Sequence, residues 1–197
     1  MAESRNRVRP ICALILMGLG ALLAQIILLR ELMKVFSGNE LTAGIVLTTW
    51  LLWTAAGSAL SGALADRLPN KPSLFATVQL ILSVILLASF LLTRYLRPLL
   101  GIPAGEIASL LQMVCGIFLL LIPLCLCSGF LFALGCSLHG EITGKGACSI
   151  GHVYAYEALG AGIGGIAFSL LLIHIFNPWQ ICLLAAALFG LSAFLLS

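Results

Sequence analysis

The chain has 197 residues, of which 61% are hydrophobic and 9% charged. A soluble domain carries roughly 25% charged residues, so ten basic and seven acidic side chains cannot coat a water-soluble body of this size. The net charge of +3 is scattered between apolar runs with no dense basic stretch, which excludes nucleic-acid binding.

A bilayer core about 30 Å thick is crossed by roughly twenty apolar residues at 1.5 Å each. Six stretches meet that requirement: about 11–33, 41–65, 73–93, 107–136, 150–175 and 178–197. Barrel strands are shorter and alternate apolar with polar residues. These runs do neither, so the sequence predicts an all-α integral membrane protein, a six-transmembrane-helix bundle forming one membrane domain over 1–197. Arg5, Arg7 and Arg9 precede the first run as in a signal peptide, but the run is too long and no small-x-small site closes it, so it reads as a retained first helix.

The breaks carry helix-ending chemistry. Ser37-Gly38-Asn39-Glu40 is a turn with cap residues for the second helix. Pro69-Asn70-Lys71-Pro72 separates the second and third spans, Arg97-Pro98 through Gly105 the third and fourth. Asn177-Pro178 opens the sixth with proline in its first turn. With the N-terminus inside, the cytoplasmic side collects Arg5, Arg7, Arg9, Arg67, Lys71 and Lys145, and the other side Arg30, Lys34, Arg94 and Arg97. The arginines ahead of the first helix favour both termini in the cytoplasm, with Trp179 as an outer interface anchor. The last span stays apolar to Ser197, as in a short natural protein or a piece of a longer or split one.

Few residues carry chemistry. Seven cysteines, an odd number, lie mostly within apolar segments and read as small packing residues; Cys125 and Cys127 are too close to share a helix face. No ligand-spaced metal cluster, nucleophile–base pair or cofactor motif is evident. Gly160-Ala161-Gly162-Ile163-Gly164-Gly165 fits G-x-G-x-x-G on paper, but it lies in an apolar helix with no acid downstream. It reads as small-xxx-small packing, Gly160 with Gly164 and Ala161 with Gly165.

Glu157 is the most informative residue. Counted from the start of the fifth span it is roughly 10 Å deep, where a charged carboxylate costs about 2.5–3.5 kcal/mol. Helical spacing puts it on one face with Ala161, Gly164 and Phe168, so it should point into the bundle. Its partner is then Arg30, His152 or a bound cation; otherwise it keeps its proton, serves as a structural hydrogen-bonded residue, or sits in shallow solvent. Gly18, Ala21 and Gln25 share a face of the first helix, and Thr54, Ser58 and Gly62 form a small polar stripe on the second. Both suit interhelical hydrogen bonding or a cavity wall. Trp50 and Trp53, a turn apart, read as packing or as a wall for a cation. Arg30, Glu31 and Lys34 read as an interfacial charged end, and His174 as a hydrogen-bonded interface residue.

Two resemblances add to this. The loop Gly62-Ala63-Leu64-Ala65-Asp66-Arg67-Leu68-Pro69-Asn70-Lys71 resembles the loop joining the second and third helices of major facilitator transporters, with Pro69 and Asn70 departing from the pattern. In residue terms, Gly62 would permit close helix approach, while Asp66 and Arg67 would pair with each other or with helix ends, beside Lys71. More specifically, Gln25 through Leu32, Phe36 through Leu41, Trp50-Leu51-Leu52 and Gly151 through Ala161 with Gly164-Gly165 resemble the membrane region of bacterial spermidine synthase-like proteins. That resemblance covers nearly the whole chain. It implies a transporter-like bundle, related to half of a major facilitator transporter, in a bacterial inner membrane. Nothing in this sequence forms the aminopropyltransferase domain of that family, so no catalytic residue carries over and the chain alone is expected not to be an enzyme, though it could be part of a split one. The expected function is a membrane module that binds or passes a small cation such as a polyamine, with Glu157 as counter-charge and Gln25, Trp50 and Thr54 as lesser contacts. The rival expectation is an anchor or subunit that docks an aminopropyltransferase-like partner or a second copy as a homo-oligomer, favoured by the small-residue face around Gly160 to Gly165 and by the abrupt ending at Ser197.

Overall fold

A computed structural model describes residues 2–38, 40–64, 70–103, 105–144 and 146–196. Among these, all the regular secondary structure is helical. Helices α1 (Ala2–Val35), α2 (Glu40–Leu64), α3 (Lys71–Leu99) and α4 (Leu110–Thr143) precede α5 (Gly146–Ala167), which continues through a π-helical turn, Phe168–Leu172, into α6 (Ile173–Ile175); α7 (Pro178–Leu196) closes the fold. Six segments are long and apolar enough to cross a membrane, α5 through α6 counting as one of them. The chain is built as a multi-pass membrane protein.

Short connections alternate the helix directions. The turn after α1 puts Ser37 and Gly38 at positive φ, with the Gly38 N–H donating to the Met33 carbonyl at 2.7 Å. Asn70 stands at φ 56° before α3, and Pro72 occupies its first turn, where its missing N–H costs nothing. Ser109 and Gln112 form a reciprocal capping box at the start of α4. Gly144, at φ 67°, ends that helix in the left-handed conformation.

The third and fourth spans depart from the expected boundaries for identifiable reasons. The third helix runs on from 93 to Leu99 because its charged residues find partners on the bundle. Arg94 lies over the Phe90 ring at 5.7 Å. Arg97 donates to the carbonyls of Val35 at 2.8 Å, Glu106 at 2.7 Å and Pro103 at 3.3 Å, tying the α3–α4 connection to the end of α1. The fourth helix begins at Leu110 rather than 107, since the Ser109 cap defines its start, and continues past 136 to Thr143.

The bundle is organised by α1, which packs on α5 and α7 and, less extensively, on α3, α2 and α4; α2 lies chiefly on α4. The two parallel pairs, α1 with α5 and α2 with α4, cross by the same device. A Cβ on Gly57 would collide with the Leu126 carbonyl oxygen, and one on Gly129 with that of Thr54. In the other pair a Cβ on Gly160 would strike the Ile15 carbonyl oxygen, and one on Gly18 that of Glu157. In all four cases the glycine follows by three residues the carbonyl its own helix presses on the partner, so each crossing is a reciprocal pair. The absence of side chains lets backbones touch, the basis of helix association in lipid. Ser58 Oγ seals the first crossing by donating to the Gly129 carbonyl at 3.0 Å. Elsewhere Ser192 Oγ donates to Ala13 O and Ser83 Oγ to Ala186 O, both at 2.8 Å, joining α7 to α1 and α3.

Candidate functional site

Because α2 rests on α4 and α5 rests on α1, the two outer helices stand as opposite walls of a groove whose floor is α1 with Ser128 of α4. The groove has a volume of about 440 Å³. It gathers Gln25 from α1, Trp50 and Thr54 from α2, and Glu157 and Ala161 from α5, so all four residues proposed as ligand contacts line one space. Helical spacing puts Gly18, Ala21 and Gln25 in line along the floor, and all three line the groove. The close Gly18–Glu157 crossing fixes the carboxylate at the bottom of the α5 wall.

Glu157 is half-buried. Its helix starts at Gly146, a turn before the expected 150, while the membrane-length apolar span begins at Ser149. Among the described residues it makes no hydrogen bond or ion pair. Both partners expected for it are engaged elsewhere. Arg30 stacks over the Phe168 ring at 5.7 Å, at the start of the π-helical turn. The His152 ring stands edge-on to His139 at 6.1 Å, and His139 also meets Tyr156 at 5.9 Å. Gln25, likewise, has no hydrogen bond among the described residues, and the buried Thr54 hydroxyl, beside the Cys125 thiol of α4, has no hydrogen-bond partner among them either. Trp50 is 8% exposed and gives the α2 wall an aromatic surface; Trp53 turns away to pack on Phe118 at 4.8 Å.

The remaining predicted positions separate by role. Gly160 is buried against α1 as expected. Gly164 approaches the Leu19 backbone and Gly165 the Leu22 side chain. These three glycines are therefore engaged with α1 inside the bundle, while a Cβ on Gly162 would meet nothing within 4 Å among the described residues. Gly62 departs from expectation: a Cβ there would meet nothing within 4 Å among the described residues. Gly57, a turn and a half earlier, does the close packing instead. Asp66 and Arg67 lie outside the described residues. Lys71 leaves the loop to join helices, with Nζ at 2.8 Å from Ser137 Oγ and 2.5 Å from Glu141 Oε1, near the C-terminal end of α4 where a cation is favoured. Glu31 pairs with Lys34 at 2.6 Å, as its spacing implied. Trp179 packs on Phe90 at 5.5 Å.

Sequence reasoning missed Ser128 and Tyr154 on the groove walls, and the α2–α4 crossing. The signal for the crossing was present: Gly57 and Ser61 are a small-xxx-small pair on α2. No group of three or more His, Cys, Asp or Glu suited to a metal occurs among the described residues. Comparison with family models, curated proteins and solved structures finds no match to this chain.

Proposed function

We propose that this chain is a membrane module that binds or passes a small organic cation, the class to which polyamines belong, and performs no chemistry on it. One observation carries the reading: α1, α2 and α5 place Gln25, Trp50, Thr54 and Glu157 around one groove, with the carboxylate unpaired among the described residues. A charge held at membrane depth without a protein partner is costly, and a bound cation removes that cost. Trp50 adds a face that attracts cations, while Gln25 and Thr54 offer hydrogen-bond acceptors.

The resemblance of Gln25 through Leu32 and Gly151 through Ala161 to spermidine synthase-like membrane regions supports a polyamine-related ligand, a bundle like half of a major facilitator transporter, and residence in a bacterial inner membrane. Arg5, Arg7 and Arg9, in the first turns of α1, support a cytoplasmic N-terminus. The alternative reading, an anchor for a partner enzyme or second copy, draws less from the glycine face, because Gly160, Gly164 and Gly165 pack on α1.

The test is titration of the purified protein in detergent with a panel of amines, alongside Glu157→Gln. At least one amine should bind and lose tenfold or more in affinity on substitution, about 1.4 kcal/mol. Equal affinities across the panel would remove the site.

A further inference from the structure

We infer that the groove takes an amphiphilic amine with a single charged nitrogen, its ammonium on Glu157 and its apolar remainder along Trp50 toward the rim formed by Leu51 and Tyr154. The inference rests on the reading of the groove as a cation site and departs from a polyamine as its ligand.

Charge balance is the first argument. Among the described residues, Glu157 is the one acidic side chain that lines the groove. Gln25, Thr54 and Ser128 are neutral: they accept hydrogen bonds from an ammonium but cannot offset a second positive charge. A di- or triamine lying in the groove would leave at least one ammonium desolvated without a counter-ion, and an unpaired buried charge is strongly disfavoured.

The shape of the walls is the second argument. Beyond Glu157 and the neutral polar groups Gln25, Thr54 and Ser128, the lining is Trp50, Leu51, Leu22, Tyr154, Gly18 and alanines, a largely apolar wall with a few oriented polar contacts. Leu51 is 70% exposed and Tyr154 65% exposed, and they stand on opposite walls, so the open side lies between α2 and α5. With the helices across a bilayer, that opening meets acyl chains rather than water. A ligand with one charged end and an apolar tail fits an interior carboxylate and a lipid-facing mouth at once. The volume, about fifteen water volumes at roughly 30 Å³ each, accommodates an alkyl chain of several carbons.

Hexylammonium and hexane-1,6-diammonium have the same chain length and differ by one charge. Titration of the full chain in detergent, read by tryptophan fluorescence and calorimetry, should give hexylammonium at least tenfold tighter than the diammonium ion and than spermidine. Glu157→Gln should abolish that preference. Ala161→Leu, which fills the groove while keeping the carboxylate, should weaken hexylammonium at least tenfold. Equal or tighter binding of the diammonium ion or spermidine, still lost in Glu157→Gln, would overturn the single-charge inference and leave the cation site standing. Amine binding indifferent to both substitutions, or no amine binding, would overturn the cation site itself.

Discussion

Substituting Gly160 with alanine tests the packing that places the carboxylate. The added methyl meets the Ile15 carbonyl oxygen and lies close to the Leu19 backbone nitrogen. Both obstructions are main chain in a long helix, so no rotamer change relieves them and α1 must move away from α5. Overpacking costs about 1–3 kcal/mol, and a rigid obstacle puts this site at the upper end. Alanine returns about 1 kcal/mol of helix propensity relative to glycine, leaving a net loss of about 1–2 kcal/mol. At about 2–4 °C per kcal/mol for a chain of this size, the apparent Tm in detergent should fall by about 2–8 °C. Gly162→Ala is the internal control. It lies on the same helix, and its methyl would meet nothing within 4 Å, so its Tm should hold or rise. The double variant Gly18→Ala with Gly160→Ala should cost less than the sum of the singles, since one displacement relieves both collisions. Equal Tm for Gly160→Ala and Gly162→Ala, or strict additivity in the double variant, would refute the reciprocal crossing.

Other perturbations address the remaining joints. Arg97→Gln removes a charged donor from the carbonyls of Val35, Pro103 and Glu106; it should cost about 2–3 kcal/mol and speed amide exchange selectively over 100–109. Ser192→Ala deletes one buried interhelical hydrogen bond and should lower stability by about 0.5–1.5 kcal/mol, read by denaturant titration. Lys71→Met breaks a pair whose acid is 58% exposed. Its cost should stay within about 1 kcal/mol and shrink with added salt; a large salt-independent loss would show that the pair is not a rim contact.

Apolar run length and turn chemistry announced six helices, because a chain that must satisfy its backbone in lipid has few other options. Glu157, Gln25, Trp50 and Thr54 were legible individually as polar or aromatic residues in apolar segments, and helical spacing gave their faces. Their convergence was not legible, since it depends on which helices pair. The choice of Gly57 rather than Gly62 as the contact glycine shows why. Both sit in the same helix among small residues, and only the position of Gly129 on α4 decides between them. Arg30 likewise looked like a partner for Glu157 by charge alone. The ring of Phe168, brought alongside it by the π-helical turn, is what occupies its guanidinium instead.

The central claim is that the Glu157 carboxylate itself meets the cation. It is tested most directly by carbon NMR of the protein labelled at the glutamate side-chain carboxyl carbons, with hexylammonium added stepwise in detergent. Of the six glutamate signals expected from the sequence, the one missing in Glu157→Gln should shift saturably while the others stay in place. Saturable binding that leaves that signal unmoved, or moves another glutamate in its stead, would contradict the account.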